Sequence, residues 1–406
     1  MIPNCANTVV VGAGQAGLAM SAHLSDQNID HVVLERDSIA ERWRNARWDS
    51  LVMNGPAWHD RFPAREFDSD PDGFPGKDEV TRYFEDFAEQ INAPIHCGVD
   101  VTGTTALPDG GYRIETSKGV IDADHVVAAT GPFQIPIIPP IIPQGAISQI
   151  HSFDYHHPDQ LEEGAVMVVG AGSSGSQIAD ELLRSGREVY LSIGPHDRPP
   201  RSYRGKDFVW WLGKLGKWQM KTPPAGKEHV TIAVSGAYGG KTVDFRKFAD
   251  RGMVLLGMTG DYDNGVLSIA GDLAQNIADG DANHLSLLAE ADAFVDAHGL
   301  DLPLEEDAKV IGPDPDCLTH PIRQIDLSER GIKTVIWATG YAQDFSWLQV
   351  DAFDDGGKPA HHRGVAKAEG IYFLGLPWLS MRGSSFIWGV WEDAKYLAGH
   401  IANRSR

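Results

Sequence analysis

A strand, a glycine turn and a helix follow one another twice in this chain. The first copy begins at Asn7 and the second at Val166, about one domain apart. A helical pattern follows each turn, at residues 18–27 and 176–185, and leads into another apolar strand. Each copy therefore reads as a βαβ unit, which is typical of parallel sheets covered by helices. The repeat predicts an α/β fold with two Rossmann-like, doubly wound dinucleotide-binding domains.

The first turn has the GxGxxG spacing of a dinucleotide site, with Gly12, Gly14 and Gly17 as its glycines. The first glycine permits the tight turn, the second lets the backbone approach a pyrophosphate, and the third lets the helix pack on the strand. The following strand ends at Glu35, where a carboxylate can accept hydrogen bonds from both hydroxyls of an adenosine ribose. We include the next residue, Arg36, in this predicted site.

The second turn repeats the motif and predicts a second nucleotide. Its predicted ligand-binding residues are Gly170, Gly172, Ser173, Ser174 and Gly175. The strand after it ends at Gly194 without an acidic residue, and a carboxylate there would repel a 2′-phosphate. This absence, with Arg198, Arg201 and Arg204 downstream, favours NADPH over NADH. For each arginine the alternative is a solvated position on a loop.

Two Ala-Thr-Gly segments each end an apolar strand. The first contains Thr130 and Gly131, and the second contains Thr339 and Gly340. A glycine at the end of a strand lets the chain turn beneath a nucleotide. We therefore add these four residues to the predicted cofactor sites.

The spacing of the two motifs predicts that one domain is inserted into the other. We expect residues 1–157 to form the first part of an FAD-binding domain, residues 158–330 an NADPH-binding domain, and residues 331–406 the C-terminal part of the FAD domain. Residues 334–337 and 371–374 read as strands, and residues 391–402 as a closing helix. Residues 225–285 are rich in Gly and Asp and receive no assignment.

Charge and cysteine content limit the partners. The formal net charge of −21 disfavours nucleic acid and anionic membranes as partners. The chain has no signal-peptide pattern and no run of about 18 apolar residues. Cys5, Cys97 and Cys317 form neither a CxxC pair nor a metal pattern, which suits a reduced cytoplasm. We expect a cytoplasmic enzyme without a metal, with a homodimer as a candidate assembly.

Together these motifs resemble the flavin-containing monooxygenases with two dinucleotide-binding domains, a class B group with bacterial, mammalian-type and YUCCA-like members. The resemblance covers nearly the whole chain. The family fingerprint F-x-G-x-x-x-H-x-x-x-[YFW] precedes the second motif, and this chain keeps its second half, from His151 to Tyr155. Gly145 and Ile147 stand where the fingerprint has Phe and Gly. Tyr155 is more similar to flavin-containing monooxygenases than to their Baeyer–Villiger relatives.

The resemblance also implies roles for single residues. Asn54, in a Met-Asn-Gly-Pro segment, would lie beside the reactive edge of the flavin and the nicotinamide; the alternative is an ordinary turn. Arg42 and Trp43 would line the adenine and pyrophosphate region. Trp378 and Ser385 belong to segments that resemble the flavin-facing C-terminal section, although a core position is the alternative for Trp378.

The function implied by the resemblance is oxygen insertion. NADPH would reduce FAD, the reduced flavin would form a C4a-(hydro)peroxide with O2, and one oxygen atom would pass to a small organic substrate. Oxidation at nitrogen or sulfur is the first expectation, and carbonyl oxygenation of the Baeyer–Villiger or YUCCA-like kind is the alternative. A flavoprotein reductase would use a redox-active cysteine pair, which the sequence lacks. A flavin-based sensor without catalysis is the remaining alternative.

Overall fold

The computed structural model describes residues 2–223 and 231–404. In chain order the strands are β1 (Cys5–Val11), β2 (His31–Glu35), β3 (Ile95–Cys97), β4 (Val101–Ala106), β5 (Tyr112–Thr116), β6 (Gly119–Ala128), β7 (Ile135–Pro136), β8 (Ser148–His151), β9 (Ala165–Val169), β10 (Val189–Ser192), β11 (Ser202–Tyr203), β12 (Lys206–Asp207), β13 (Val254–Leu256), β14 (Thr259–Asp263), β15 (Val266–Ile269), β16 (Gln324–Asp326), β17 (Ile332–Trp337), β18 (Tyr341–Ala342), β19 (His361–His362), β20 (Val365–Ala366) and β21 (Ile371–Phe373).

The helices are α1 (Gln15–Asp26), α2 (Glu41–Arg44), α3 (Lys77–Gln90), α4 (Ser173–Arg184), α5 (Phe208–Lys214), α6 (Ala237–Gly240), α7 (Phe245–Asp250), α8 (Leu273–His298), α9 (Asp316–Thr319) and α10 (Ile387–Arg404). In the part of the chain that the structure describes, no helix is long and apolar enough to cross a membrane.

The larger sheet is built around the first glycine motif and defines what we call the first unit. Its strand order is β19-β20-β21-β6-β1-β2-β3, and β4 and β5 extend from β6. Strand β1 lies at the centre, where Val10 pairs in parallel with Val33 on one side and Val127 on the other. The β-branched run suits a strand buried on both faces. Helices α1 and α10 pack together on this sheet.

The smaller sheet is built around the second glycine motif and defines the second unit. Its order is β13-β10-β9-β17-β8, and all of its pairs are parallel. Strand β9 is central, with Val168 between Leu191 and Ile336. The predicted fold class, two Rossmann-like units in an α/β chain, is confirmed.

The predicted domain boundaries do not coincide with the sheets. Strand β8 lies within residues 1–157 and β17 lies within residues 331–406, yet both belong to the sheet of the second unit. The second unit thus begins before residue 158 and continues past residue 330. Parallel pairing joins strands that are distant in the chain. The positions of the two motifs therefore do not show which sheet a short strand joins.

The element predictions hold best near the motifs. The strand predicted to end at Glu35 is confirmed as β2, the one predicted at 334–337 lies within β17, and the one predicted at 371–374 is β21, which ends one residue earlier. The closing helix is longer than predicted and begins at Ile387. The unassigned segment 225–285 lies partly outside the described residues, at 225–230, and otherwise contains short strands and the start of the long helix α8.

Candidate functional site

The first glycine motif forms a turn that is closed on its inner side and open on its outer side. Gly12 has a φ of +108°, and a Cβ on it would lie 2.7 Å from the carbonyl oxygen of Ala129. A Cβ on Gly17 would overlap the carbonyl oxygen of Gly12, so the helix could not approach the strand. At Gly14 no atom of the residues that the structure describes lies within 4 Å of such a Cβ. The open face at Gly14 is where a pyrophosphate would approach the backbone.

Glu35 is fixed beside this turn by backbone donors. The backbone N–H of Ala13 donates to Oε2 at 2.8 Å, and that of Asp37 donates to Oε1 at 3.0 Å. Both carboxylate oxygens are thus oriented at the end of β2, and each retains capacity to accept a further hydrogen bond. This position matches the predicted ribose-binding role.

A cavity of about 280 Å³ gathers most of the predicted residues of the first site. The lining includes Gly12, Gly14, Glu35, Arg36, Arg42, Trp43, Thr130, Gly131 and Ser385. Gly17 lies behind the turn, where it sets the helix packing. This set of hydrogen-bonding groups, with turn amides and arginines as donors and a carboxylate as acceptor, fits a dinucleotide.

The same cavity contains residues that sequence reasoning missed. Gln15 lines it and donates from Nε2 to the backbone carbonyl of Ser385 at 2.7 Å, joining the glycine turn to the start of α10. Arg47 and Trp347 also line it. Gln15 follows Gly14 directly, so its position within the motif could have indicated that it lines the cavity. Trp347 belongs to no motif, and the sequence gives no indication that it lines the cavity.

Arg42 projects from α2 toward the cavity. Its Nη2 donates to the carbonyl of Gln134 at 3.3 Å, and its guanidinium lies 5.1 Å from the ring centroid of Phe153. Burial is the main cause that lowers the pKa of Arg42. No carboxylate pairs with this arginine among the described residues, so its charge is available to an anionic group.

The second glycine motif repeats the inner geometry of the first. Gly170 has a φ of +100°, and a Cβ on it would lie 2.5 Å from the carbonyl oxygen of Ala338. A Cβ on Gly175 would overlap the carbonyl oxygen of Gly170. The first glycine of each turn thus packs on the alanine of an Ala-Thr-Gly segment, which explains why the two motif types occur in pairs.

The outer side of the second turn differs from that of the first. A Cβ on Gly172 would lie 3.1 Å from Cγ2 of Thr231. The Ser173 hydroxyl donates to the carbonyl of Ile232 at 2.8 Å. The segment after residue 230 therefore covers this turn, whereas the turn at Gly14 faces an open cavity.

The arginines downstream of the second motif are not where we expected them. Arg198 and Arg201 have only 5% and 4% of their surface exposed. Arg198 pairs with Asp281 at 2.6 Å and Arg201 with Asp207 at 2.5 Å. Both guanidinium groups are thus engaged by carboxylates in the interior, and neither presents a free surface to a 2′-phosphate. Arg204 is similar and pairs with Asp292 at 2.7 Å.

Thr339, Gly340 and Trp378 lie outside the lining of the first cavity. The Thr339 hydroxyl donates to the carbonyl of Ile137 at 2.5 Å, and Gly340 turns with a φ of +84°. Trp378 is half-buried with a left-handed backbone, and its carbonyl accepts a hydrogen bond from Thr222. These contacts join the ends of the two units.

The two fingerprint residues are structural. Nε2 of His151 lies 3.0 Å from the carbonyl oxygen of Gly340, and its Nδ1 accepts from the backbone N–H of Phe153 at 3.1 Å. Tyr155 is fully buried and donates to Glu181 of α4 at 2.8 Å, and burial raises the pKa of its hydroxyl. Both therefore fix the chain where it enters the second unit.

Asn54 lies where the two units meet. Gln177 of α4 donates from Nε2 to Oδ1 of Asn54 at 2.8 Å and to the carbonyl of Val234 at 3.0 Å. Arg201 donates to the backbone carbonyl of Asn54. The turn that carries Asn54 is thus held by two side chains of the second unit, a relationship that neither motif reveals.

Comparison with known proteins identifies the family. Residues 9–212 match the family described as pyridine nucleotide-disulphide oxidoreductase. The chain belongs to this family. An uncharacterized CzcO-like oxidoreductase of Geobacillus kaustophilus (strain HTA426) is 34% identical to it over 402 residues, which are 98% of each chain.

Two further proteins that are similar to this chain are monooxygenases. Indole-3-pyruvate monooxygenase YUCCA1 of Oryza sativa subsp. japonica is 30% identical over 190 residues, 46% of this chain and 47% of that protein. The solved flavin-containing monooxygenase of Stenotrophomonas maltophilia shares the fold, with a TM-score of 0.68, 17% identity and 100% coverage of both chains. The protein is an enzyme of the pyridine nucleotide-disulphide oxidoreductase family and has the fold of this flavin-containing monooxygenase.

Proposed function

We propose that this enzyme is an FAD- and NADPH-dependent monooxygenase of small organic molecules. NADPH supplies two electrons, one atom of O2 enters the substrate, and the other leaves as water. When bound, the flavin supplies the chemistry that accepts hydride and activates O2. Oxidation at a nitrogen or sulfur atom of the substrate is the first candidate reaction.

The observation that carries this proposal is the position of Asn54. Its side chain lies between the unit that contains the first glycine cavity and the helix that leaves the second glycine turn. Gln177 fixes the orientation of Asn54, whose Nδ2 group can then donate a hydrogen bond at the point where two dinucleotides meet. A preorganised donor costs little reorganisation during the reaction. We assign FAD to the first unit and NADPH to the second.

The choice of NADPH rests on the end of β10. Strand β10 ends at Ser192 and is followed by Ile193 and Gly194. None of these three residues carries a carboxylate that would repel a 2′-phosphate. Since Arg198 and Arg201 are engaged elsewhere, the proposal does not use them to bind that phosphate.

Carbonyl oxygenation is the second candidate reaction. One observation favours it: the similarity to an enzyme named for indole-3-pyruvate, a 2-oxo acid. Both reactions consume NADPH and O2 and differ in the atom that receives oxygen.

The test is to give the flavin-loaded enzyme NADPH and 18O2 with a panel of amines, sulfides, ketones and 2-oxo acids. We expect one 18O atom in the product for each NADPH consumed with a good substrate, and NADPH oxidised faster than NADH. Oxidation of NADPH with hydrogen peroxide as the sole oxygen product across the panel would contradict the proposal and favour a reductase or a sensor.

A paired variant sharpens this test. Asn54→Ala is expected to raise the share of NADPH electrons that end in hydrogen peroxide. Asn403→Ala is the control, because Asn403 is exposed in the last turn of α10, far from both turns. Equal peroxide shares in the two variants would remove Asn54 from the site.

A further inference from the structure

A second cavity, of about 220 Å³, lies between α4 and α7. Residues 235–244 form its roof, with α6 among them. Among the described residues it shares no lining residue with the first cavity, and its contacts on α4 start at Ser176, after the glycine turn. It is therefore separate from the residues to which we assigned FAD and NADPH.

The rim of this cavity carries an excess of positive charge. Four cationic side chains line it, Arg184, Lys241, Lys247 and Arg251, against two carboxylates, Asp180 and Asp244. In a chain with a net charge of −21, a local excess of two positive charges, four minus two, is unusual. Such a rim raises the local concentration of small anions.

The carboxylates are already used by their neighbours. Asp180 pairs with both Arg184 and Arg251, and Asp244 accepts from the backbone N–H groups of Arg246 and Lys247 at the start of α7. Lys241, by contrast, is exposed and forms no ion pair with any described residue. Its ammonium group is thus the charge most available to a ligand.

An aromatic side chain is held at the mouth of the cavity. Tyr238 lines the cavity with 52% of its surface exposed, and the guanidinium of Arg184 lies 4.0 Å from its ring centroid. Its backbone is left-handed, with a φ of +56°, a conformation that costs a non-glycine residue about 1 kcal/mol. Phe248 supplies a second aromatic ring to the lining. A flat apolar ligand can bury its surface against these two rings, which favours its binding over that of water.

We propose that this cavity binds a small aromatic molecule with a single carboxylate, its ring against Tyr238 and its charge near Lys241. The cavity touches the catalytic region at one residue. Gln177 lines it and also donates to Asn54, so a bound molecule would contact the side chain that orients Asn54. The proposal concerns an accessory ligand site and goes beyond the oxygenation reaction.

The test uses isothermal titration calorimetry with 2-naphthoate, on flavin-loaded enzyme saturated with NADP+ so that the nucleotide sites are filled. We expect one site per chain, and affinity at least about tenfold weaker for the neutral 2-naphthalenemethanol, which corresponds to about 1.4 kcal/mol. Binding should weaken as salt rises, because the cations are exposed. Absence of saturable binding, or equal affinity for the two compounds, would overturn the proposal.

Two variants locate the binding. Lys241→Glu should weaken 2-naphthoate binding by about tenfold or more, whereas Lys118→Glu, which changes the net charge equally on an exposed turn of the first unit, should not. Tyr238→Gly keeps the left-handed backbone without strain and removes the ring; we expect about fivefold weaker binding. If Lys241→Glu and Tyr238→Gly both bind like the unaltered enzyme, the ligand lies elsewhere and the assignment is wrong.

Discussion

The side chain of Gln177 donates a hydrogen bond of 2.8 Å to Oδ1 of Asn54 and so joins α4 of the second unit to a turn of the first. A single amide at Asn54 can rotate about its side-chain bonds, and an acceptor without a fixed partner would sample several orientations. Gln177 removes that freedom and leaves the Nδ2 group of Asn54 as the donor that can face a ligand.

We expect Gln177→Leu to uncouple NADPH oxidation from oxygen insertion. Leucine keeps most of the volume but cannot donate, so Asn54 loses its partner. Loss of one hydrogen bond of about 1 kcal/mol would raise the ratio of hydrogen peroxide to product by about fivefold. Peroxide and product are measured per NADPH consumed. Gln275→Leu, on the exposed face of α8, is the control, and an effect of equal size there would refute the role of Gln177.

Substitutions at two glycines of the first motif should affect folding and cofactor binding separately. Gly17→Ala would force a Cβ into the carbonyl of Gly12, and we expect it to lower the free energy of unfolding by about 3 kcal/mol. Gly14→Ala meets no protein atom within 4 Å and should fold normally but release FAD. Thermal unfolding and flavin absorbance distinguish the two. Gly399→Ala, in α10 with open space around it, should leave both unchanged.

The motifs could be predicted because their physical reason is local. Gly17 must be glycine because a Cβ there would overlap the carbonyl oxygen of Gly12, five residues earlier, and Gly12 itself turns with a φ of +108°. The burial of the arginines could not be predicted because their partners are distant in the chain: Arg198 pairs with Asp281, which lies on α8.

Helix α8 was missed for the same reason. It buries the polar residues Asn276, Asp281 and His284, which break the apolar periodicity that marks a helix in sequence. Each makes a tertiary contact, such as the hydrogen bond from Asn276 to the carbonyl of Ile193 at 3.0 Å. Only the folded chain reveals why a polar residue belongs inside.

Arg201 offers a direct test between an internal clamp and a phosphate ligand. Arg201→Ala would leave the half-buried carboxylate of Asp207 without its cation, and we expect the free energy of unfolding to fall by about 3 kcal/mol. As a clamp, Arg201 should not set the ratio of kcat/KM for NADPH to that for NADH, and Arg201→Lys should keep this ratio within about twofold. A selective loss of NADPH efficiency would instead restore the phosphate-binding role. Arg113→Ala, an exposed control, should alter neither quantity.

The buried His151 should make stability depend on pH below neutrality. Burial is the main cause that lowers its pKa from 6.5. Because Nδ1 accepts from the N–H of Phe153, the neutral ring carries its proton on Nε2 and donates to Gly340, and a second proton on Nδ1 would break the first of these contacts. In the unfolded chain the same ring takes up a proton near pH 6.5.

The sign follows from proton linkage. Between the lowered folded pKa and 6.5, the unfolded state binds more protons, so the stabilisation from neutral His151 is complete above 6.5 and is lost as pH falls toward the folded pKa. His151→Gln can keep both hydrogen bonds without titrating. Its free energy of unfolding, from urea denaturation at several pH values, should therefore fall less steeply below pH 6.5, by up to about 1.4 kcal/mol per pH unit. His157→Gln, at an exposed position, should keep the original slope, and identical slopes in both variants would mean that His151 does not govern this loss.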